Sequence, residues 1–182
     1  MTLKKTVTLK DGRNCLLRNG VTSDGKAVLD VFNRTHEETD YLLTYSDENC
    51  FTASQEADFL QRKTDSTNTV EIIAVVDGVV AGTAGIDALG MRDKIKHRAV
   101  FGIAITKEFW GLGIGKHLME ACIECAREAG YLQLELEVVA ENERAVEMYR
   151  RAGFIEYGRN PKAFRLRTGE YQELIDMRLE LK

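Results

Sequence analysis

Three glycines, Gly111, Gly113 and Gly115, alternate in the run Phe109-Trp110-Gly111-Leu112-Gly113-Ile114-Gly115-Lys116-His117-Leu118-Met119, and Lys116 follows them directly. Ala99 to Ile105 reads as an apolar strand before this loop, and an amphipathic helix begins after it. A strand, a glycine loop and a helix together suit a diphosphate. Glycine lets the backbone approach a ligand closely. The first N–H groups of a helix have no intrahelical partner, and the helix dipole adds positive charge at that end. The segment is therefore expected to bind a phosphorylated cofactor. Two nucleotide motifs fail on spacing. A dinucleotide loop needs G-x-G-x-x-G, and here the third glycine comes one residue early. A P-loop would need glycine at Trp110 and Ser or Thr at His117. A plain connecting turn is the remaining alternative.

A second segment carries more information. Leu132 to Val139 alternates like a strand, and Asn142 then stands where a helix would be capped. Ala145, Val146, Tyr149 and Ala152 recur at helical spacing, and Gly153 is placed to end the helix. The two segments together resemble the GNAT superfamily of acyl-CoA-dependent N-acetyltransferases. The family loop reads Gln/Arg-x-x-Gly-x-Gly/Ala, and Gly113 and Gly115 match its glycines. The later family pattern, Asn-x-x-Ala-x-x-x-Tyr-x-x-x-Gly-Phe, is matched by Asn142, Ala145, Tyr149, Gly153 and Phe154. The resemblance covers about Glu71 to Leu181, and the N-terminal half more loosely. Trp110 departs from the pattern, standing where the family has Gln or Arg. Its ring either packs under the loop or lies as a lid against the cofactor.

The resemblance implies a donor, acetyl-CoA, and a set of roles. Main-chain groups of Ile103, Ala104 and Ile105 would hold the pantetheine arm and thioester. Gly111, Leu112, Gly113, Ile114, Gly115 and Lys116 would hold the diphosphate, with the Lys116 charge either assisting or merely solvated. Asn142 would cap its helix and touch the cofactor arm. Tyr149 would be the general acid for the departing thiolate, since a phenol with pKa near 10 is protonated at neutral pH. Glu137 would be the base, matching a glutamate of the ribosomal-protein N-terminal acetyltransferases in this superfamily. Glu135, two residues earlier, shares its face of the strand. Two carboxylates there can raise one another's pKa, although alternating glutamates also describe a solvated face. His97 and Glu108 are weaker candidates for the base.

These residues need a scaffold. At 182 residues, 44% hydrophobic and 30% charged, the chain suits one domain with an ample core, read as a single N-acetyltransferase domain over 1–182. Lys5 to Leu17 reads as a hairpin around Asp11-Gly12, Asp24 to Phe32 as a helix, and Ser54 to Arg62 as a second helix with Ser54 as its cap. Val70 to Ile86 forms a hairpin around Asp77-Gly78. The helix after the glycine loop runs to Ala129 and stops at Gly130, and the tail holds strands at Ala163 to Arg167 and Tyr171 to Leu181. The fold class is α/β, with a mixed sheet and helices on both faces. The resemblance implies the acyl-CoA N-acyltransferase fold, with a mostly antiparallel central sheet.

Cys122 and Cys125 form a C-x-x-C, but it lies inside a helix without a partner motif, so no metal is expected. The four free cysteines suit a reducing, cytoplasmic setting. No apolar run approaches a membrane span, and the N-terminus lacks an apolar signal core, so no membrane association is expected. A net charge of −4 gives no reason to expect nucleic acid. A homodimer is compatible with the sequence.

Thr35 to Gln61 holds seven acids and no Lys or Arg, with Tyr41, Tyr45 and Phe51 beside them. In the family, this region borders the acceptor. The expectation is transfer from acetyl-CoA to a primary amine, a small cationic metabolite, by direct attack in a ternary complex. A protein N-terminal or lysine acetyltransferase is the second reading. A non-catalytic acyl-CoA sensor is the third, and an intact Tyr149 and Asn142 pattern argues against it.

Overall fold

The computed structural model describes residues 1–181. Eight strands form one sheet: β1 (Lys4–Thr8), β2 (Asn14–Asn19), β3 (Val70–Val76), β4 (Val79–Ala88), β5 (Arg98–Ile105), β6 (Gln133–Val139), β7 (Ile155–Arg165) and β8 (Tyr171–Glu180). Four α-helices join them: α1 (Gly25–Glu38), α2 (Ala53–Asp65), α3 (Ile114–Glu128) and α4 (Glu143–Arg151). The strand order is β1-β2-β3-β4-β5-β6-β8-β7, antiparallel except for the parallel pair β5–β6. A parallel pair requires a crossover, and α3 supplies it. The α/β mixed, mostly antiparallel sheet is the one read from the sequence.

Alternation along the strands divides the core in two. Ile72, Ala74, Ala84, Phe101 and Leu134 pack with Leu118 and Cys122 of α3 in the main cluster. Ile73 turns the other way and packs with Val28 of α1 and Leu60 of α2. The hairpin between β3 and β4 turns on Asp77 at φ 51° and Gly78 at φ 81°, the geometry that Asp-Gly favours. Cys122 and Cys125 are buried in α3 and serve as small packing residues.

Several boundaries differ from the sequence reading, and α1 runs on to Glu38 rather than Phe32 and α2 to Asp65 rather than Arg62. The cap of α2 is Thr52 rather than Ser54. The Gln55 amide donates to Thr52 Oγ1 at 3.3 Å, and the Gln55 side chain accepts from the Thr52 amide at 2.8 Å. Strand β7 begins at Ile155 rather than near Ala163. It is an edge strand exposed on both faces for much of its length, so no alternation marks it. Pro161 is tolerated there, within a register shift between Asn160 and Phe164.

Candidate active site

Strands β5 and β6 pair at only three registered positions, Arg98–Gln133, Ala99–Leu134 and Val100–Glu135. Beyond Val100 the two strands part, and Phe101 to Ile105 have no β6 neighbour. A cavity of about 680 Å³ lies against this opening. It extends from Thr35 and Thr39 at the end of α1 and Leu42 just after it, past Ile103, Ala104 and Ile105, to the loop before α3 and the outer face of α4.

The loop is built for close approach. Gly111 and Gly113 hold φ of 88° and 97°, a region that penalises any Cβ. Gly113 caps α3 with no side-chain hydrogen bond, and the first turn of α3 contains no acid. The leading N–H groups of that helix are thus left to a ligand. Gly115 differs: its φ is ordinary, and a methyl group there would meet Met148 Sδ of α4 at 3.1 Å. Its requirement is packing between α3 and α4.

Asn142 performs the expected capping, accepting from the Ala145 amide at 3.3 Å, and it also lines the cavity. Of the other residues named for the cofactor, Ile103, Ala104, Ile105, Gly111, Gly113, Ile114, Gly115 and Lys116 line it too. Leu112 and Tyr149 do not. The Leu112 carbonyl instead accepts from the Lys10 amide at 3.1 Å, tying the β1–β2 turn to the loop. Tyr149 is 5% exposed and lies edge-on to Phe101 at 6.1 Å between ring centroids. Burial pushes its phenol well above the ordinary tyrosine value.

Trp110 lies under the loop and also borders the cavity. Its indole N–H donates to the Ile105 carbonyl at 2.7 Å. That carbonyl is therefore already engaged on one side. Lys10, Arg144 and Arg151 line the cavity as well, and the sequence reading did not select them. Arg144 carried a signal: a cation in the first turn of a helix opposes the dipole.

The opposite face of the sheet carries the carboxylates. Glu137 is exposed there and stands opposite Asp176 across the β6–β8 pair. Among the described residues, neither has a cation within ion-pair distance. Gly102, two residues beyond the last β5–β6 pair on the same face, sits level with Glu137 across the opening. A Cβ at Gly102 would meet nothing within 4 Å, so the space above it is open. The opening ends at the next strand: Gly85 pairs with Gly102, but the Glu71 carboxylate covers Gly85.

Glu135 does share the face of Glu137, but Arg98 holds it through bonds of 2.5 and 2.7 Å. Mutual repulsion of the two glutamates is thus replaced by an ion pair. His97 precedes β5 at the end far from the opening, and Glu108 is held by Arg34 at 2.9 Å. The acidic segment is less free than its composition implies. Glu38 accepts from Arg34 at 2.9 Å and from the Lys107 amide at 2.5 Å, and Asp47 pairs with Arg167 at 2.7 Å. These cations come from outside the segment, so its composition alone did not show them.

The model of the Acetyltransferase (GNAT) family matches residues 28–154. The L-amino acid N-acetyltransferase AaaT of Escherichia coli (strain K12) is 32% identical over 118 residues, which are 64% of this chain and 72% of that protein. N-alpha-acetyltransferase 30 of Schizosaccharomyces pombe is 37% identical over 57 residues, 31% of this chain and 38% of that protein. An acetyltransferase of the GNAT family from Streptococcus pneumoniae superposes with a TM-score of 0.87 at 28% identity, covering 91% of this chain and 99% of that one. A putative acetyltransferase from Salmonella typhimurium, solved with its cofactor acetyl-CoA, gives 0.82 at 17% identity, covering 93% and 95%, and shares the fold.

Proposed function

The chain belongs to the GNAT family of acetyltransferases, and on that premise we propose that it acetylates a small primary amine that arrives as a cation. The observation that carries this reading is the Glu137–Asp176 pair, two carboxylates without cations facing the opening at Gly102. Two uncompensated carboxylates beside that opening attract an ammonium group. The donor, acetyl-CoA, fits the cavity side: an uncapped helix end, two left-handed glycines and a group of basic side chains meet there.

The residues then divide the work. Backbone donors of β5 beside the opening polarise the thioester carbonyl, a contribution of a few kcal/mol for preorganised donors. Glu137 accepts the proton of the incoming ammonium, directly or through one water. The amine, now neutral, attacks in a ternary complex. Tyr149, kept protonated by burial beside the cavity-lining Ala145 and Met148, turns toward the cavity to supply the proton to the departing thiolate. The second proton shed by the attacking nitrogen restores the phenol. Lys116 and the loop amides hold the diphosphate.

A second reading is an L-amino acid acceptor, and the similarity to AaaT favours it. A panel of diamines, L-amino acids and short peptides, scored by coenzyme A release, separates the two. Turnover confined to amines lacking a carboxylate supports the first. Turnover confined to amino acids moves the assignment to the second. Turnover of peptides alone overturns both.

A further inference from the structure

The charges lining the cavity do not balance. Four cations face it, Lys10, Lys116, Arg144 and Arg151, against two carboxylates, Glu120 and Glu147. The carboxylates are already committed, Glu120 to Lys116 at 3.7 Å and Glu147 to Arg151 at 2.8 Å. Lys10 and Arg144 remain without an acid partner among the described residues, and both are exposed. Asp11, next to Lys10, is held by Arg13 at 2.8 Å.

Both cations are also placed at some local cost or constraint. Arg144 is the second residue of α4, where the helix dipole repels a cation. Its guanidinium lies over the Trp110 ring, 5.8 Å from the centroid, and its Nη2 comes within 3.9 Å of where a Gly111 Cβ would be. Lys10 reaches the loop from the other side. Its Cγ lies 3.9 Å from where a Gly113 Cβ would be, and its amide is bonded to the Leu112 carbonyl. The indole is fixed by its bond to Ile105, so it can orient the guanidinium.

We propose that Lys10 and Arg144 form a phosphate clamp on either side of the glycine loop, with Trp110 as the platform that positions Arg144. The clamp supplies the charge that a polar residue at position 110 would otherwise bring to this loop. The proposal rests on the acetyl-CoA reading, and it places the nucleotide phosphates of the donor between a turn of the N-terminal hairpin and α4. Trp110 acts through Arg144 and is a positioning residue.

The test is calorimetric titration of the full chain with coenzyme A, dephospho-coenzyme A and pantetheine. Variants are Lys10→Gln, Arg144→Gln, Trp110→Leu and the double variant Trp110→Leu/Arg144→Gln. All must unfold at a temperature near wild type. Lys10→Gln and Arg144→Gln are each expected to raise Kd for coenzyme A about tenfold, equivalent to about 1.4 kcal/mol. Pantetheine, which lacks the nucleotide, should bind the variants as it binds wild type. Trp110→Leu should match Arg144→Gln, and the double variant should lose little more than either. A loss that persists with dephospho-coenzyme A assigns the clamp to the diphosphate. A loss that disappears assigns it to the 3′-phosphate. Unchanged coenzyme A affinity in folded Lys10→Gln and Arg144→Gln overturns the clamp and leaves the family function standing. Failure of wild type itself to bind coenzyme A overturns the function reading instead.

Discussion

Glu137 of β6 stands directly opposite Asp176 of β8, the first exposed and the second half-buried, without a cation in ion-pair distance of either among the described residues. Like charges directly opposite on a sheet are destabilising by some tenths of a kcal/mol. The fold therefore tolerates a small local cost where the strands part. Glu137→Gln is expected to raise thermal stability slightly while lowering kcat/KM for cationic amines. If Glu137 passes the amine proton onward, the alkaline-rising limb of the pH–rate profile should also shift. A profile superimposable on wild type would reject the base role. Asp176→Asn, with an unchanged pH profile and a raised KM, would mark Asp176 as a binding group only.

Tyr149→Phe keeps a ring between Phe101 and Phe154 and removes one hydroxyl. The expected result is a lower kcat, by roughly 10²-fold at the low end of general-acid effects, with Kd for acetyl-CoA nearly unchanged. Because burial raises the phenol, the wild-type profile should show no falling limb from Tyr149 up to pH 10. Undiminished turnover in the variant would make Tyr149 a packing residue.

The loop was legible because glycine spacing and the Asn142 pattern act locally. Gly111 and Gly113 hold the left-handed conformations that only glycine adopts cheaply, and Asn142 caps the residue three positions on. The charge pairing was not legible in the same way. Glu135 finds Arg98 on a neighbouring strand, and Asp47 finds Arg167 across 120 positions of chain. Those partners depend on topology, which single-residue types do not encode. Strand β7 was read late for a related reason. An edge strand with solvent on both sides leaves no periodicity to read.

Gly113, at the cap of α3, and Gly115, inside it, should fail differently. Gly113→Ala forces a left-handed residue with a Cβ, costing about 1–2 kcal/mol, and should weaken acetyl-CoA binding by distorting the loop. Gly115→Val places branched carbons against Met148 and should push α4 away from α3. Pairing Gly115→Val with Met148→Ala should recover part of the lost affinity, whereas Met148→Ala should do nothing for Gly113→Ala. Calorimetry on the four proteins checks this. Equal rescue of both would show that the loop moves as one rigid unit.

Stability should fall as pH rises through the range of one enclosed carboxylate. Glu71 of β3 lies over Gly85, where a methyl group would collide with its carboxylate oxygen. Burial raises its pKa to about 7. Lys63 opposes that rise, and the charges of Asp87 and Glu56 add to it. Lys63 Nζ is itself engaged, with Asp87 at 2.5 Å and the Ile86 carbonyl at 3.2 Å. A folded-state pKa above the unfolded value means that the native protein binds the proton more tightly. The stabilisation is full below about pH 4.5, is lost as pH climbs to about 7, and is flat beyond. The slope in that window should approach, for a single proton, about 1.4 kcal/mol per pH unit at most. Glu71→Gln should remove this slope and make the protein more stable than wild type at pH 8. Urea melts of both proteins at pH 5 and pH 8 provide the comparison. Parallel pH dependence in the two would place the titration elsewhere, with Glu56, also raised by burial, as the next residue to replace.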